Sequence, residues 1–104
     1  MQYRKFGKTG LEVSSLGMGC MRLPRKFHDD GSVSVDNEKA IEMIRYALDN
    51  GVNYFDSAFT YHNSTSELVL GEALGGGYRE KAIIATKQPL GAVCAYLSAR
   101  KALT

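Results

Sequence analysis

Apolar and polar positions change period several times along the chain, and each change marks an element. Short β-prone runs over residues 2–6 and 11–15 flank Gly7-Lys8-Thr9-Gly10, and turn chemistry between such runs predicts a hairpin. Leu16 to Cys20 reads as a short glycine-rich strand, and Leu23 to Ser34 as a long polar loop. A helix is predicted from Asp36, because Ala40, Ile41, Ile44, Ala47 and Leu48 recur three or four apart. Glu38 suits its positive end, and Gly51 offers a left-handed stop. Val52 to Phe55 is a buried strand closing at Asp56. Ser64 and Glu67 have capping-box spacing, which predicts a second helix from about Thr65 to Leu74, ended by Gly75-Gly76-Gly77. Lys81 to Thr86 is the next strand, and its continuous Ala82-Ile83-Ile84-Ala85 run fits a parallel strand covered by helices. Ala92 to Thr104 is alanine-rich, with Val93, Tyr96, Leu97 and Arg100 at helical spacing; it reads as a third helix or as foreign sequence. The β-α-β-α-β order predicts a parallel α/β sheet.

Composition narrows the function. Thirteen basic and eleven acidic residues leave a net charge of +2, and the basic positions are scattered. That balance gives no footprint for nucleic acid. No run approaches the roughly eighteen apolar residues of a membrane span, and the N-terminus lacks the apolar core of a signal peptide. Cys20 and Cys94 are too few and too far apart for a disulfide framework or a zinc site. Reduced thiols in a cytoplasmic protein are expected. Gly17-x-Gly19 resembles the start of a dinucleotide fingerprint, but Arg22 stands where its third glycine belongs, and no helix start follows.

Asp56 and Lys87 close two successive strands, and Tyr61 lies in the loop after the first. A phenol ordinarily titrates near about 10. An adjacent ammonium, itself held by a carboxylate, favours release of its proton. Spacing alone is equally compatible with a structural Asp56–Lys87 ion pair beside a surface tyrosine. His62 follows the tyrosine directly, while His28 sits in the polar loop.

The string Gly51-Val-Asn-Tyr-Phe-Asp56-Ser-Ala-Phe-Thr-Tyr61, with Ser66-Glu67 and Gly71-Glu-Ala-Leu74 downstream and Ala85-Thr86-Lys87 beyond, resembles the aldo-keto reductase family. Tyr3 to Ser14 and Leu16-Gly-Met-Gly-Cys-Met-Arg-Leu23 extend the resemblance from Tyr3 to about Gly91. Met21-Arg-Leu-Pro24 and Tyr61-His62 are similar to bacterial members, some of which carry an iron–sulfur tail.

This resemblance implies an α/β fold that is the N-terminal portion of a (β/α)8 TIM barrel. Residues 1–15 would be a capping hairpin, 16–91 about three βα units, and 92–104 an atypical tail. It also implies reduction of a small carbonyl substrate with NADPH, with Asp56, Tyr61 and Lys87 catalytic and Tyr61 the proton donor. Gly19, Met21, Arg22 and Asp56 would lie at the nicotinamide end of the cofactor; His62, by flanking Tyr61 rather than by the resemblance, is expected to face the substrate. A complete barrel takes roughly 250 residues. The family's active-site histidine on the fourth strand and its phosphate-binding loops would fall beyond residue 104. The 104-residue chain is therefore expected to be incomplete and inactive alone, and its open strand edges invite self-association. The alternative from another class is a non-catalytic binding or assembly module derived from the same family.

Overall fold

Ala40, Ile44 and Leu48 stack at four-residue intervals on one helix face, and burial of that face sets the architecture. The computed structural model describes residues 1–91 and 98. In chain order its strands are β1 (Tyr3–Lys5), β2 (Glu12–Ser14), β3 (Met18–Gly19), β4 (Arg25–Phe27), β5 (Val33–Val35), β6 (Tyr54–Asp56) and β7 (Ile83–Ala85). Helix α1 (Asn37–Asp49) precedes β6, and α2 (Ser66–Ala73) lies between β6 and β7. β3, β6 and β7 form a parallel sheet in that order, with β6 central. This is the arrangement expected of an N-terminal portion of a (β/α)8 barrel, with its helices following their strands. Phe55, wholly buried on β6, meets Cys20, Leu23, Ile44, Val69, Leu70 and Leu74 in one apolar core.

The ends of α1 follow from local chemistry. Asp36 is its N-cap, and its carboxylate accepts from the Lys39 N–H at 3.3 Å. At the other end Gly51 takes a φ of 95°, its N–H reaching Leu48 O and that of Val52 reaching Ala47 O. This is the paired closure that a left-handed residue permits. The Tyr3 hydroxyl donates to Gly51 O at 2.8 Å, so a Cβ there would also strike the phenol.

β1 and β2 pair antiparallel as predicted. Asn53, just before β6, docks this hairpin: its Oδ1 accepts from Ser14 N–H, and its Nδ2 donates to Glu12 O. The hairpin therefore covers the entry ends of the strands.

The structure departs from the sequence reading at three places. The Leu23–Ser34 segment is not a plain loop, because β4 and β5 form a second hairpin there. Its turn is built by Gly31 at φ 88° and by Asp30, which accepts from both Ser32 N–H and Ser32 Oγ. The capping box at Ser64 does not form. Thr65 is the N-cap, makes no side-chain cap bond, and α2 starts at Ser66. The third parallel strand is shorter than predicted, because a 3-10 turn over Arg79–Lys81 takes its first residue. Ile83, Ile84 and Ala85 are only half-buried. The reading of 92–104 as a tail or third helix lies outside the described residues. Among the described residues, no helix is long and apolar enough to cross a membrane.

Candidate active site

Parallel register brings the candidate residues to one end of the sheet. Gly19, Asp56 and Ala85 are neighbours across β3, β6 and β7. Backbone bonds continue the ladder past the strands: Cys20 N–H to Asp56 O at 2.8 Å, Ser57 N–H to Ala85 O at 2.8 Å, and Phe59 N–H to Lys87 O at 2.9 Å. The last of these fixes Lys87 beside the loop that carries Tyr61. Lys87 Nζ lies 2.5 Å from Asp56 Oδ1 and 5.0 Å from the centroid of the Tyr61 ring. Asp56, Tyr61 and Lys87 thus converge at the C-terminal strand ends, where barrels of this class gather their chemistry. The Asp56–Lys87 ion pair is present, and it has the Tyr61 ring against it.

The Lys87 and Asp56 side chains are 51% and 44% exposed, so water reaches the pair and screens it. The hydrogen bond to Asp56 raises the Lys87 pKa above its ordinary value, slight desolvation opposes this, and the Tyr61 phenol adds to the rise. Lys87 is an ammonium throughout the neutral range.

A buried polar floor lies beneath these groups. Ser57 and Ser66, both fully buried, share a hydrogen bond between their hydroxyls at 2.9 Å. The Ser66 hydroxyl also donates to Cys20 O at 3.1 Å, which links β3, the loop after β6, and the start of α2. Cys20 is free and buried. Burial, reinforced by the Asp56 charge, pushes its thiol up to about 11. A thiol so held is protonated and packs rather than attacks.

The loop after Tyr61 is strained. His62, Asn63 and Ser64 hold φ of 51°, 52° and 65°, at roughly 1–2 kcal/mol for each non-glycine residue. Compensating bonds surround it. Thr65 N–H and Thr65 Oγ1 both donate to His62 O, at 3.1 and 2.6 Å, and Ser66 N–H donates to Tyr61 O at 3.2 Å. The half-buried His62 ring accepts the Leu23 N–H at its Nε2, at 3.0 Å. Desolvation lowers the His62 pKa, and the Arg25 and Arg22 charges lower it further. The ring thus makes a structural tie to the segment after β3.

Gly19, paired with Asp56, is exposed at the strand end, and Met21 and Arg22 are exposed in the segment that follows it. A Cβ on Gly19 would meet nothing within 4 Å, so the space above β3 is open. His28 lies on the second hairpin, where its Nε2 contacts Ser34 Oγ. Among the described residues, no group of three or more His, Cys, Asp or Glu side chains could hold a metal.

Sequence reasoning did not single out the serine floor, the His62–Leu23 bond, or the 3.2 Å bond from Thr86 Oγ1 to Glu67. Ser57, Ser66 and Glu67 stand within the quoted motif, so their positions were visible although their partners were not.

The sequence profile of the Aldo/keto reductase family matches residues 15–104, which takes in the alanine-rich segment. A soybean (Glycine max) protein named "Probable aldo-keto reductase 1" is 41% identical over 83 residues, covering 80% of this chain and 23% of that protein. Among solved structures, aldo-keto reductase AKR11C1 from Bacillus halodurans, in its holo form, aligns with a TM-score of 0.68 at 35% identity, over 83% of this chain and 25% of its own. The thermostable aldo-keto reductase Tm1743, in complex with the inhibitor epalrestat, aligns with a TM-score of 0.64 at 27% identity, over 85% and 31% respectively. The chain spans less than a third of the length of each of these relatives.

Proposed function

The chain belongs to the aldo/keto reductase family of oxidoreductases, and from that premise we propose that its complete barrel reduces aldehydes or ketones, with Tyr61 as proton donor and NADPH as cofactor. The observation that carries this reading is the meeting of Asp56, Lys87 and Tyr61 at the strand ends.

As a carbonyl is reduced, negative charge develops on its oxygen. The Tyr61 hydroxyl gives that oxygen its proton, and the carbonyl becomes an alcohol. The Lys87 ammonium stabilises the phenolate left behind, and Asp56 holds that ammonium in place. Reduced nicotinamide, when bound, supplies the hydride that no side chain can. Gly19, Met21, Arg22 and Asp56 fit its nicotinamide end: Gly19 leaves open space, and Met21 and Arg22 offer an exposed thioether and a guanidinium beside it. The free, buried thiol of Cys20 suits a reducing cytoplasm.

The test is steady-state NADPH oxidation by the complete chain against a panel of aldehydes and ketones. Turnover is expected on some of them, falling by about 10²–10⁴-fold in Tyr61→Phe. Undiminished turnover in that variant would refute the assignment of Tyr61. No turnover of any carbonyl by the complete chain would instead favour the non-catalytic module.

A further inference from the structure

The strained turn after Tyr61 is tied across to the segment between β3 and β4. His62 Nε2 accepts the N–H of Leu23, and Leu23 is 2% exposed and anchored in the core. Leu23 directly follows Met21 and Arg22, and His62 directly follows Tyr61. One side-chain bond therefore joins the segment at the nicotinamide end to the loop bearing the proton donor. Backbone strain of this kind persists only where its surroundings over-determine it.

We propose that His62 is a positioning residue: its neutral imidazole latches the Tyr61 loop to the Gly19–Leu23 segment, and protonation of the ring releases the latch. This inference rests on the reading of Tyr61 as proton donor.

The switch follows from donor and acceptor chemistry. Only a neutral ring with its hydrogen on Nδ1 offers Nε2 as an acceptor. An imidazolium carries N–H at both nitrogens, so it would set one donor against the Leu23 N–H. The charged groups around the ring are Arg22 on the segment after β3, Arg25 on β4, and Glu72 of α2, which lines the same groove. β5 contributes Val33, Ser34 and Val35, none of which titrates. Desolvation and the two cations keep the His62 pKa below its ordinary 6.5. The neutral form is therefore complete above about 6.5, and the latch is lost as pH falls through the lowered value.

The experiment uses the complete chain, measuring kcat, the cofactor KM and their pH dependence in wild type, His62→Leu and His62→Gln. Glutamine reaches the Nε2 position with a carbonyl that accepts at any pH. We expect wild-type kcat/KM to fall about three- to tenfold on an acid limb, the loss of one hydrogen bond. His62→Leu should show that loss at every pH. His62→Gln should restore activity and remove the limb. Hydrogen exchange at the Leu23 amide should quicken in His62→Leu, and nitrogen–proton NMR of the wild-type ring should show the Nδ1–H tautomer. An acid limb that survives in His62→Gln, unchanged Leu23 exchange in His62→Leu, or an Nε2–H tautomer would overturn the proposal. The tautomer is read in wild type, so it decides even if the leucine variant fails to fold. Exchange and tautomer do not depend on turnover, so the latch can fail while Tyr61 stands, and Tyr61 can fail while the latch stands.

Discussion

Replacing Ser66 by alanine removes one hydroxyl and strands two buried partners. The Ser57 hydroxyl loses its 2.9 Å bond, and Cys20 O loses the donor at 3.1 Å. Both serines are fully buried, so no water replaces the missing group, and an orphaned buried polar atom costs roughly 1–3 kcal/mol. Ser66 opens α2, and alanine is the better helix former by roughly 0.5 kcal/mol. The net loss should therefore be about 1.5 kcal/mol. In the complete barrel that lowers the first unfolding transition by about 3–6 °C. Ser57→Ala should cost less, because the Ser66 hydroxyl keeps its bond to Cys20 O. The double variant should be less damaging than the two losses added together, by roughly 1 kcal/mol, because Ser66→Ala alone orphans the Ser57 hydroxyl and the double variant has none to orphan. Denaturant unfolding of the wild type, both single variants and the double variant measures this cycle. A Ser66→Ala protein indistinguishable from wild type, or strictly additive losses, would refute the claim that these hydroxyls form one buried unit.

Asp56→Asn should narrow the pH range of activity. Asp56 holds the Lys87 pKa above its ordinary 10.5, so the ammonium is complete below that value and lost as pH rises through the raised one. Without the carboxylate, the alkaline limb of the kcat profile should move to lower pH; an unmoved limb would separate Lys87 from the reaction. Residues 1–104 expressed alone should self-associate through open strand edges and show no NADPH-dependent reduction. Their accessible surface is 7475 Å², against about 5,800 Å² for a folded monomer of this mass. Light scattering with thermal unfolding checks this, and a sharp transition in a monomer would contradict it.

Much of the fold was legible because the period changes are clean. The spacing of Ala40, Ile44 and Leu48 announced α1, and Asp36 and Gly51 marked its limits through physics that acts within a few residues. β6 and β7 were found because Phe55 and the Ala82–Ala85 run must be buried somewhere. The β4–β5 hairpin was missed because its strands are short and largely exposed, so no alternation toward a core betrays them. Asp30-Gly31 was the available signal. The capping box failed because Ser64 is drawn into the left-handed turn that follows Tyr61. The bond from Leu23 to His62, spanning 39 residues of chain, supports that turn, and the Ser57–Ser66 bond holds the helix start just after it. Asp56, Tyr61 and Lys87 could be selected as candidates from strand ends alone. Their meeting depends on the parallel register, which is a property of the assembled sheet.

The most direct test of Tyr61 as proton donor is to compare cofactor binding with the chemical step in the complete chain carrying Tyr61→Phe. Fluorescence titration gives NADPH affinity, and single-turnover mixing gives the rate of cofactor oxidation with a carbonyl substrate present. The phenol acts as the alkoxide forms and not when the dinucleotide binds, so the loss should fall on the rate. We predict NADPH affinity within a few-fold of wild type and single-turnover oxidation slowed by about 10²–10⁴-fold. Weakened NADPH binding with an unchanged single-turnover rate at saturation would contradict the account.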